Sequence, residues 1–157
     1  MPALSDGFLA AQRRRLDAIG PWSIREDWTR SNLDIEWRSP AGLESDWVPF
    51  GLRFHTDTGS PSFDPDERMF ELWELYRRGH AEFAPALRRA CERAFAADEP
   101  DDDPRRVARA WVEVSRLGVH RGTVHHDLSV RFAVSGDEHQ YFVSFDEAAG
   151  RFSELQS

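Results

Sequence analysis

Four short segments alternate apolar and polar residues, and this period-two pattern constrains the fold more than any other feature of the sequence. The segments begin near Leu33, Val48, Leu128 and Tyr141, and in each one the apolar residues occupy every second position. Successive side chains of a β-strand point to opposite faces, so such alternation is typical of strands with one buried face. Residues 135–138 (SGDE) separate the last two segments and are typical of a hairpin loop.

Other segments space their apolar residues as a helix does. The predicted helices cover residues 4–19, 65–78 and 81–97. Ser5 can cap the first helix. For the second helix, Asp64 can be the N-cap residue, and Pro65 is favoured at the first helical position. Gly79 suits the position just past a helix C-terminus, and Pro85 is tolerated only in a first turn. We therefore expect a break between the second and third helices.

The segment 104–118 is ambiguous. Asp103-Pro104 resembles a helix start, and Val107, Trp111 and Val114 keep helical spacing. The run Trp111-Val112-Glu113-Val114, however, has the β-branched and aromatic character of a strand. The sequence slightly favours a helix over residues 104–117 and leaves a strand open.

These patterns predict an α+β fold. We expect an antiparallel sheet with strands from residues 22–55 and 126–155, packed on one side by three or four helices. The length of 157 residues fits one domain covering residues 1–157, since domains usually contain about 100–200 residues.

The charge balance bears on the kind of partner. The chain has 28 acidic and 20 basic residues and a formal net charge of −8. Nucleic-acid binding depends largely on cations that neutralise phosphates, so this balance disfavours nucleic acid as a partner. The run Arg13-Arg14-Arg15 fits a solvated helix face.

All 20 basic residues are arginine, and the chain has no lysine. Together with the single Asn32, this composition is typical of a GC-rich, bacterial genome. The absence of lysine excludes Schiff-base chemistry and lysine-anchored pyridoxal phosphate, and it removes the phosphate-binding lysine of a P-loop. We expect no cofactor.

Cys91 is the only cysteine, so no intrachain disulfide can form. It lies on the apolar stripe of a predicted helix, where a free cysteine behaves as a small hydrophobic residue. Residues 1–20 lack the apolar centre of a signal peptide, and no segment contains about 18 consecutive apolar residues. We therefore expect a cytoplasmic protein that does not contact a membrane.

Histidines concentrate in the segment before the C-terminal strands. His125, Asp127 and His139 have the side chains that zinc or iron requires, although their spacing matches no known metal signature. If residues 125–127 are extended, His125 and Asp127 share a face and His126 points away.

The same region suggests a second kind of site, a cationic patch that binds anions. Its candidate residues are His120, Arg121, His126 and Arg131.

Tryptophan next to acidic residues suggests a surface that binds a protein. Tryptophan is enriched at binding hot spots, and Trp28 and Trp47 follow Asp27 and Asp46 directly. The acidic run at residues 98–103 adds carboxylates that a basic partner could contact. The candidate partner-binding residues are Asp27, Trp28, Asp46, Trp47, Asp101 and Asp102.

The sequence therefore favours a small, soluble, acidic protein-binding module, such as an inhibitor or immunity-type protein that binds a basic partner. This hypothesis depends on the charge, the tryptophans and the lack of a catalytic motif, and it favours a non-enzymatic role. One alternative is a metal-dependent enzyme or metal-binding domain around His125, Asp127 and His139. Another is a small-ligand domain with an aromatic pocket between helices and sheet, in which Arg131 or His126 is the polar group that orients the ligand.

Overall fold

A computed structural model of the chain describes residues 3–27, 32–57, 59–60, 62–98, 107–120, 122–134 and 140–153. Two helices and seven strands lie in these ranges. In chain order they are α1 (Asp6–Ile19), β1 (Trp22–Asp27), β2 (Asn32–Trp37), β3 (Phe50–Thr56), α2 (Glu67–Asp98), β4 (Val107–His120), β5 (Thr123–Val134), β6 (Gln140–Asp146) and β7 (Arg151–Phe152).

The strands follow one another across the sheet in the order of the chain, from β1 to β7. Neighbouring strands are antiparallel except β3 and β4, which are parallel and are connected through α2. The expected antiparallel arrangement of β2 with β3 and of β5 with β6 is confirmed. The expectation of a wholly antiparallel sheet is wrong, because a parallel pair joins its two halves.

The expectation of three or four helices is also wrong, because the described residues form only two. The predicted helices 65–78 and 81–97 are one helix, α2, which continues through Gly79 and Pro85. Gly79 does not have the positive φ that ends a helix. Pro85 has no backbone N–H, so the carbonyl of Ala81 loses its usual helical donor there.

The segment 107–120 is a strand and not the slightly favoured helix. Val112 and Val114 point into the core, and Glu113 and Ser115 point to the opposite face of the sheet, where each is buried as well. Every residue from Ala110 to Arg116 is therefore buried. Trp111 points outward and Arg116 points towards the helices, and these two residues interrupt the alternation that would have identified the strand.

Both helices pack on one face of the sheet. Leu16 and Ile19 of α1 and Phe70, Trp73 and other residues of α2 belong to the same apolar core. Each central strand contributes two or more buried residues to this core, among them Ile35, Phe54, Val112, Val130 and Val143. Burying a side chain of this size contributes about 1.5–3 kcal/mol. We call this side of the sheet the helix side and the opposite side the open face.

The predicted cap of α1 is confirmed, since the Ser5 hydroxyl accepts a hydrogen bond from the backbone N–H of Phe8. The start of α2 differs from the prediction by two residues. Asp66 caps this helix by accepting from the N–H of Met69, whereas Asp64 accepts from both the N–H and the hydroxyl of Ser5.

Within the described ranges, neither helix combines the length and the apolar composition needed to cross a bilayer.

Candidate functional site

The open face of the sheet carries a lattice of charged side chains. Arg53 lies at its centre, with Nη2 2.8 Å from Oε1 of Glu36 and Nη1 3.5 Å from Oε1 of Glu113. The other oxygen of Glu113 accepts a 2.7 Å hydrogen bond from Nε of Arg131. The strand register explains these pairs, because Arg53 lies opposite Glu36 on β2 and beside Glu113 on β4.

Glu113 is 7% exposed although it lies on the open face. A buried carboxylate is costly unless it is paired and hydrogen-bonded, and here two guanidinium groups fulfil that requirement. The long arginine side chains thus cover the centre of the open face in place of a helix.

His55 extends the lattice towards the end of β3. Its Nδ1 lies 2.5 Å from Oδ1 of Asp34 on β2. Burial lowers the pKa of His55, but the hydrogen bond and the charge of Asp34, with the charges of Glu113 and Asp57, outweigh it. The net effect raises the pKa above its usual value, so the open face favours the protonated, cationic imidazole.

Trp111 lies on the open face beside Gly51 and is 5% exposed. The guanidinium carbons of Arg53 and Arg109 are each 5.0 Å from its ring centroid, a distance at which cations attract an aromatic ring. Trp111 is therefore buried by arginines and stays outside the apolar core of the helix side.

A cavity of about 640 Å³ opens next to Trp111. Among the described residues, four arginines and one carboxylate, that of Glu36, line it. These arginines are Arg25, Arg38, Arg53 and Arg109. A concentration of guanidinium groups in a chain of net charge −8 is a local reversal of the overall charge.

A second cavity, of about 590 Å³, lies on the helix side between the loop before β3 and α2. Trp47 forms its aromatic wall and is half-buried, with its ring centroid 5.8 Å from that of Phe132 and 6.4 Å from that of Phe50. Exposed carboxylates of Glu44 and Asp46 lie at its edge. We call this cavity the Trp47 groove.

His80 closes the inner end of the Trp47 groove and is buried. Its Nε2 donates to the carbonyl of Glu44 at 3.0 Å, and its Nδ1 lies 2.9 Å from the hydroxyl of Tyr76. Burial lowers the pKa of His80, and the Glu44 carbonyl offsets only part of that effect. The neutral ring therefore accepts from Tyr76 and fixes the loop against α2.

The predicted partner-binding residues fall in three places. Trp47 and Asp46 come together in the Trp47 groove. Asp27 is the last residue of β1, and Trp28, Asp101 and Asp102 lie outside the described residues. The structure thus locates one of the expected tryptophan–aspartate pairs beside a cavity.

The predicted metal ligands are only partly placed. His125 and Asp127 share one face of β5, as expected, with His125 exposed and Asp127 half-buried. Burial raises the pKa of Asp127, and the charge of His125 opposes this. His139 lies outside the described residues, and within them no three metal-binding side chains gather in one place.

The four residues of the predicted anion patch do not share a surface. His126 faces the helix side, where its Nε2 donates to Oδ2 of Asp66 at 2.8 Å. Arg131 faces the open side and is paired with Glu113. His120 is exposed at the end of β4, and Arg121 lies outside the described residues.

Asp66 joins the start of α2 to the sheet. Besides His126, its Oδ2 lies 3.3 Å from Nη1 of Arg116, a buried residue of β4. Burial raises the pKa of Asp66, but the hydrogen bonds from His126 and from the N–H of Met69 outweigh it and lower the pKa overall. This cluster is a structural anchor, since the carboxylate of Asp66 binds two side chains of the sheet and the first turn of α2 at once.

Cys91 is fully buried, as expected for a core residue. Burial, with the nearby charge of Glu92, raises the pKa of its thiol to about 12. The thiolate form that nucleophilic chemistry requires is therefore strongly disfavoured at neutral pH.

Sequence reasoning missed the arginine cavity and part of the Trp47 groove. Arg109 and Trp111 share the open face only if their segment is a strand, which the helical spacing obscured. Glu44 and His80 lie 36 residues apart and meet through the tertiary fold. The outward position of Arg53, between Gly51 and His55, was readable from the alternation of β3.

No protein-family description matches this chain, and no curated protein or solved structure shows significant similarity to it.

Proposed function

We propose that this protein is a protein-binding module whose Trp47 groove takes a basic segment of a partner protein, as an inhibitor or immunity-type protein would. The observation that supports this proposal is the combination of a half-buried tryptophan with two exposed carboxylates at the edge of one cavity. Tryptophan is the residue most typical of binding hot spots, and rim charges select the partner and speed association.

The charges of the groove favour a basic occupant. Arg88 lines the groove, and its Nε lies 3.1 Å from Oε1 of Glu92 on the next helical turn. Glu44 and Asp46 have no cation within 4.0 Å among the described residues. Two carboxylates are thus available to a lysine or arginine of the partner, and the overall charge of −8 attracts basic proteins over a longer range.

The groove is held in place before any partner arrives. His80 fixes the backbone of Glu44, and Trp47 rests on Phe50 and Phe132 of the core. Such pre-organisation lowers the entropic cost of binding, because the side chains that meet the partner are already ordered.

We also propose a reducing compartment, the cytoplasm, as the place where the protein works. The single cysteine is buried and can form no intrachain disulfide, so the fold gains nothing from an oxidising compartment.

The test is a pull-down from extracts of cells that encode the protein, followed by affinity measurement with the purified partner. Bait proteins carry Glu44→Arg or Asp46→Arg, and Glu71→Arg is the matched control on an exposed part of α2. Each change reverses one surface charge and leaves the core intact, and the backbone carbonyl of Glu44 remains available to His80.

We expect a basic protein to be retained by the unmodified bait and by Glu71→Arg. Each groove variant should weaken its binding about tenfold or more, because a like charge would face the partner. A retained partner that is acidic, or one that all the variants bind equally well, would contradict the proposal, as would the absence of any stoichiometric partner.

A further inference from the structure

The arginine cavity on the open face is separate from the Trp47 groove and has its own chemistry. It lies beside Gly51, whose missing side chain leaves the backbone of β3 as the floor. A Cβ at this position would lie 3.1 Å from the carbonyl oxygen of Trp37 and 3.6 Å from Cβ of Trp111. The volume of about 640 Å³ is within the usual range of small-molecule sites, roughly 300–1,000 Å³.

The positive charge of this cavity is only partly balanced. Arg53 is neutralised by Glu36 and Glu113, and Arg25 is 62% exposed with its nearest carboxylate, Glu36, at 3.7 Å. Arg38 and Arg109 have no carboxylate within 4.0 Å in the part of the chain that the structure describes. Among the described residues, the guanidinium groups of Arg38 and Arg109 are thus the two lining charges without a carboxylate partner.

Buried polar atoms without a protein partner also concentrate on this face. Among the described residues, two buried side-chain atoms lack a hydrogen bond within the protein, Nε1 of Trp111 and Oγ of Ser129. Both residues belong to the open face. In the pairing of β4 with β5, Trp111 lies opposite Arg131 and Ser129 lies opposite Glu113. Of these two residues, Trp111 also lines the cavity, so its indole N–H is a convenient reporter of what happens beside it.

We propose that the arginine cavity is a binding site for a small molecule that carries a phosphate monoester. Such a group bears a charge of about −1.5 to −2 at pH 7, which matches the two guanidinium charges of Arg38 and Arg109. The planar guanidinium fork binds phosphate oxygens through paired hydrogen bonds, and several forks can share one phosphate. Pro49, which lines the cavity and is exposed, supplies apolar surface for the remainder of the ligand.

The test is isothermal titration of the purified protein with adenosine monophosphate (AMP), adenosine, inorganic phosphate and a phosphoserine peptide. The indole N–H signal of Trp111 in a nitrogen–proton correlation spectrum, assigned with Trp111→Phe, reports where each probe binds. We expect AMP to bind and to shift this signal, inorganic phosphate to bind more weakly, and adenosine not to bind.

Arg38→Gln and Arg109→Gln should each weaken AMP binding about tenfold or more, since each removes a charge-assisted hydrogen bond. Arg78→Gln, at an exposed position of α2, is the matched control and should leave the affinity unchanged. Gly51→Val, with its fold checked by circular dichroism, should abolish AMP binding because the side chain occupies the floor of the cavity.

Three results would overturn the proposal. The first is no binding of AMP or phosphate at about 10 mM. The second is equal weakening by Arg78→Gln, which would show unspecific charge attraction. The third is binding of the phosphoserine peptide without AMP, which would identify a phosphorylated protein segment as the ligand in place of a small molecule.

Discussion

The two faces of the sheet bury a tryptophan in different ways. On the helix side, Trp37 is 1% exposed, stacks edge-on against Phe54 at 5.1 Å and donates its indole N–H to the carbonyl of Leu16. On the open face, Trp111 is 5% exposed but lies beneath two arginines, and its indole N–H has no hydrogen-bond partner among the residues that the structure describes. A tryptophan is thus buried by apolar side chains and a hydrogen bond on the helix side, and by charged side chains on the open face.

Two histidines repeat this contrast. His55 on the open face pairs with Asp34, and its pKa is raised because the carboxylates around it outweigh burial. His80 on the helix side is buried between Tyr76 and the carbonyl of Glu44, and its pKa is lowered because burial dominates. The same residue type therefore favours the charged form on one face and the neutral form on the other.

Replacing each tryptophan by alanine gives the sharpest test of this comparison. Trp37→Ala should lower the free energy of unfolding by about 3–5 kcal/mol, because it leaves a cavity in the core and removes a buried hydrogen bond. Trp111→Ala should cost about 2 kcal/mol, because the arginines above it can close over the smaller side chain. Denaturant unfolding of both variants measures the difference, and equal costs would refute the distinction.

The ion pairs of the two sides should also differ in strength. Glu113→Gln should lower the free energy of unfolding by about 2 kcal/mol, since Arg53 and Arg131 both lose a charged acceptor in a poorly hydrated place. Glu92→Gln breaks the exposed pair with Arg88 on α2 and should change it by less than about 0.5 kcal/mol. Urea unfolding at low and high salt checks both values, and a Glu113→Gln effect as small as that of Glu92→Gln would contradict the proposed burial of the lattice.

The histidines should give pH dependences of opposite sign. Because the pKa of His55 is raised, its contribution is fully present below the unfolded value of about 6.5 and is lost as the pH rises through the folded value. Because the pKa of His80 is lowered, its contribution is present above about 6.5 and is lost as the pH falls through the folded value.

The measurement is the unfolding free energy between about pH 5 and 8.5 for the unmodified protein, His55→Gln and His80→Gln. The advantage of the unmodified protein over His55→Gln should shrink as the pH rises, and its advantage over His80→Gln should shrink as the pH falls. Parallel profiles for the two variants would show that the faces do not differ in this respect.

The sequence predicted the strands in which buried apolar residues alternate with more exposed polar residues. The alternation of Leu33, Ile35 and Trp37 identified β2, and the same pattern identified β3, β5 and β6. From Ala110 to Arg116 both faces are buried. Trp111 points outward and Arg116 inward, so the alternation is interrupted and helical spacing describes the segment equally well.

The joined helix was unpredictable for a different reason. Gly79 and Pro85 are local signals for a break, but α2 continues through both because its buried residues on either side, such as Tyr76 and Leu87, are fixed by the core. Tertiary packing thus overrides local propensity. The arginine cavity could not be predicted either, since its residues lie on or next to four strands whose order the sequence does not specify.

The parallel pairing of β3 with β4 has a consequence for how the chain reaches its native state. Each half of the sheet consists of strands that meet their nearest neighbours in sequence, whereas this one ladder closes a loop of more than fifty residues that includes α2. Loop closure over such a distance is slow compared with hairpin formation. We therefore expect the two halves to acquire structure early and the pairing of β3 with β4 to form last. A substitution in this pair of strands should then slow folding more than a comparable substitution within either half.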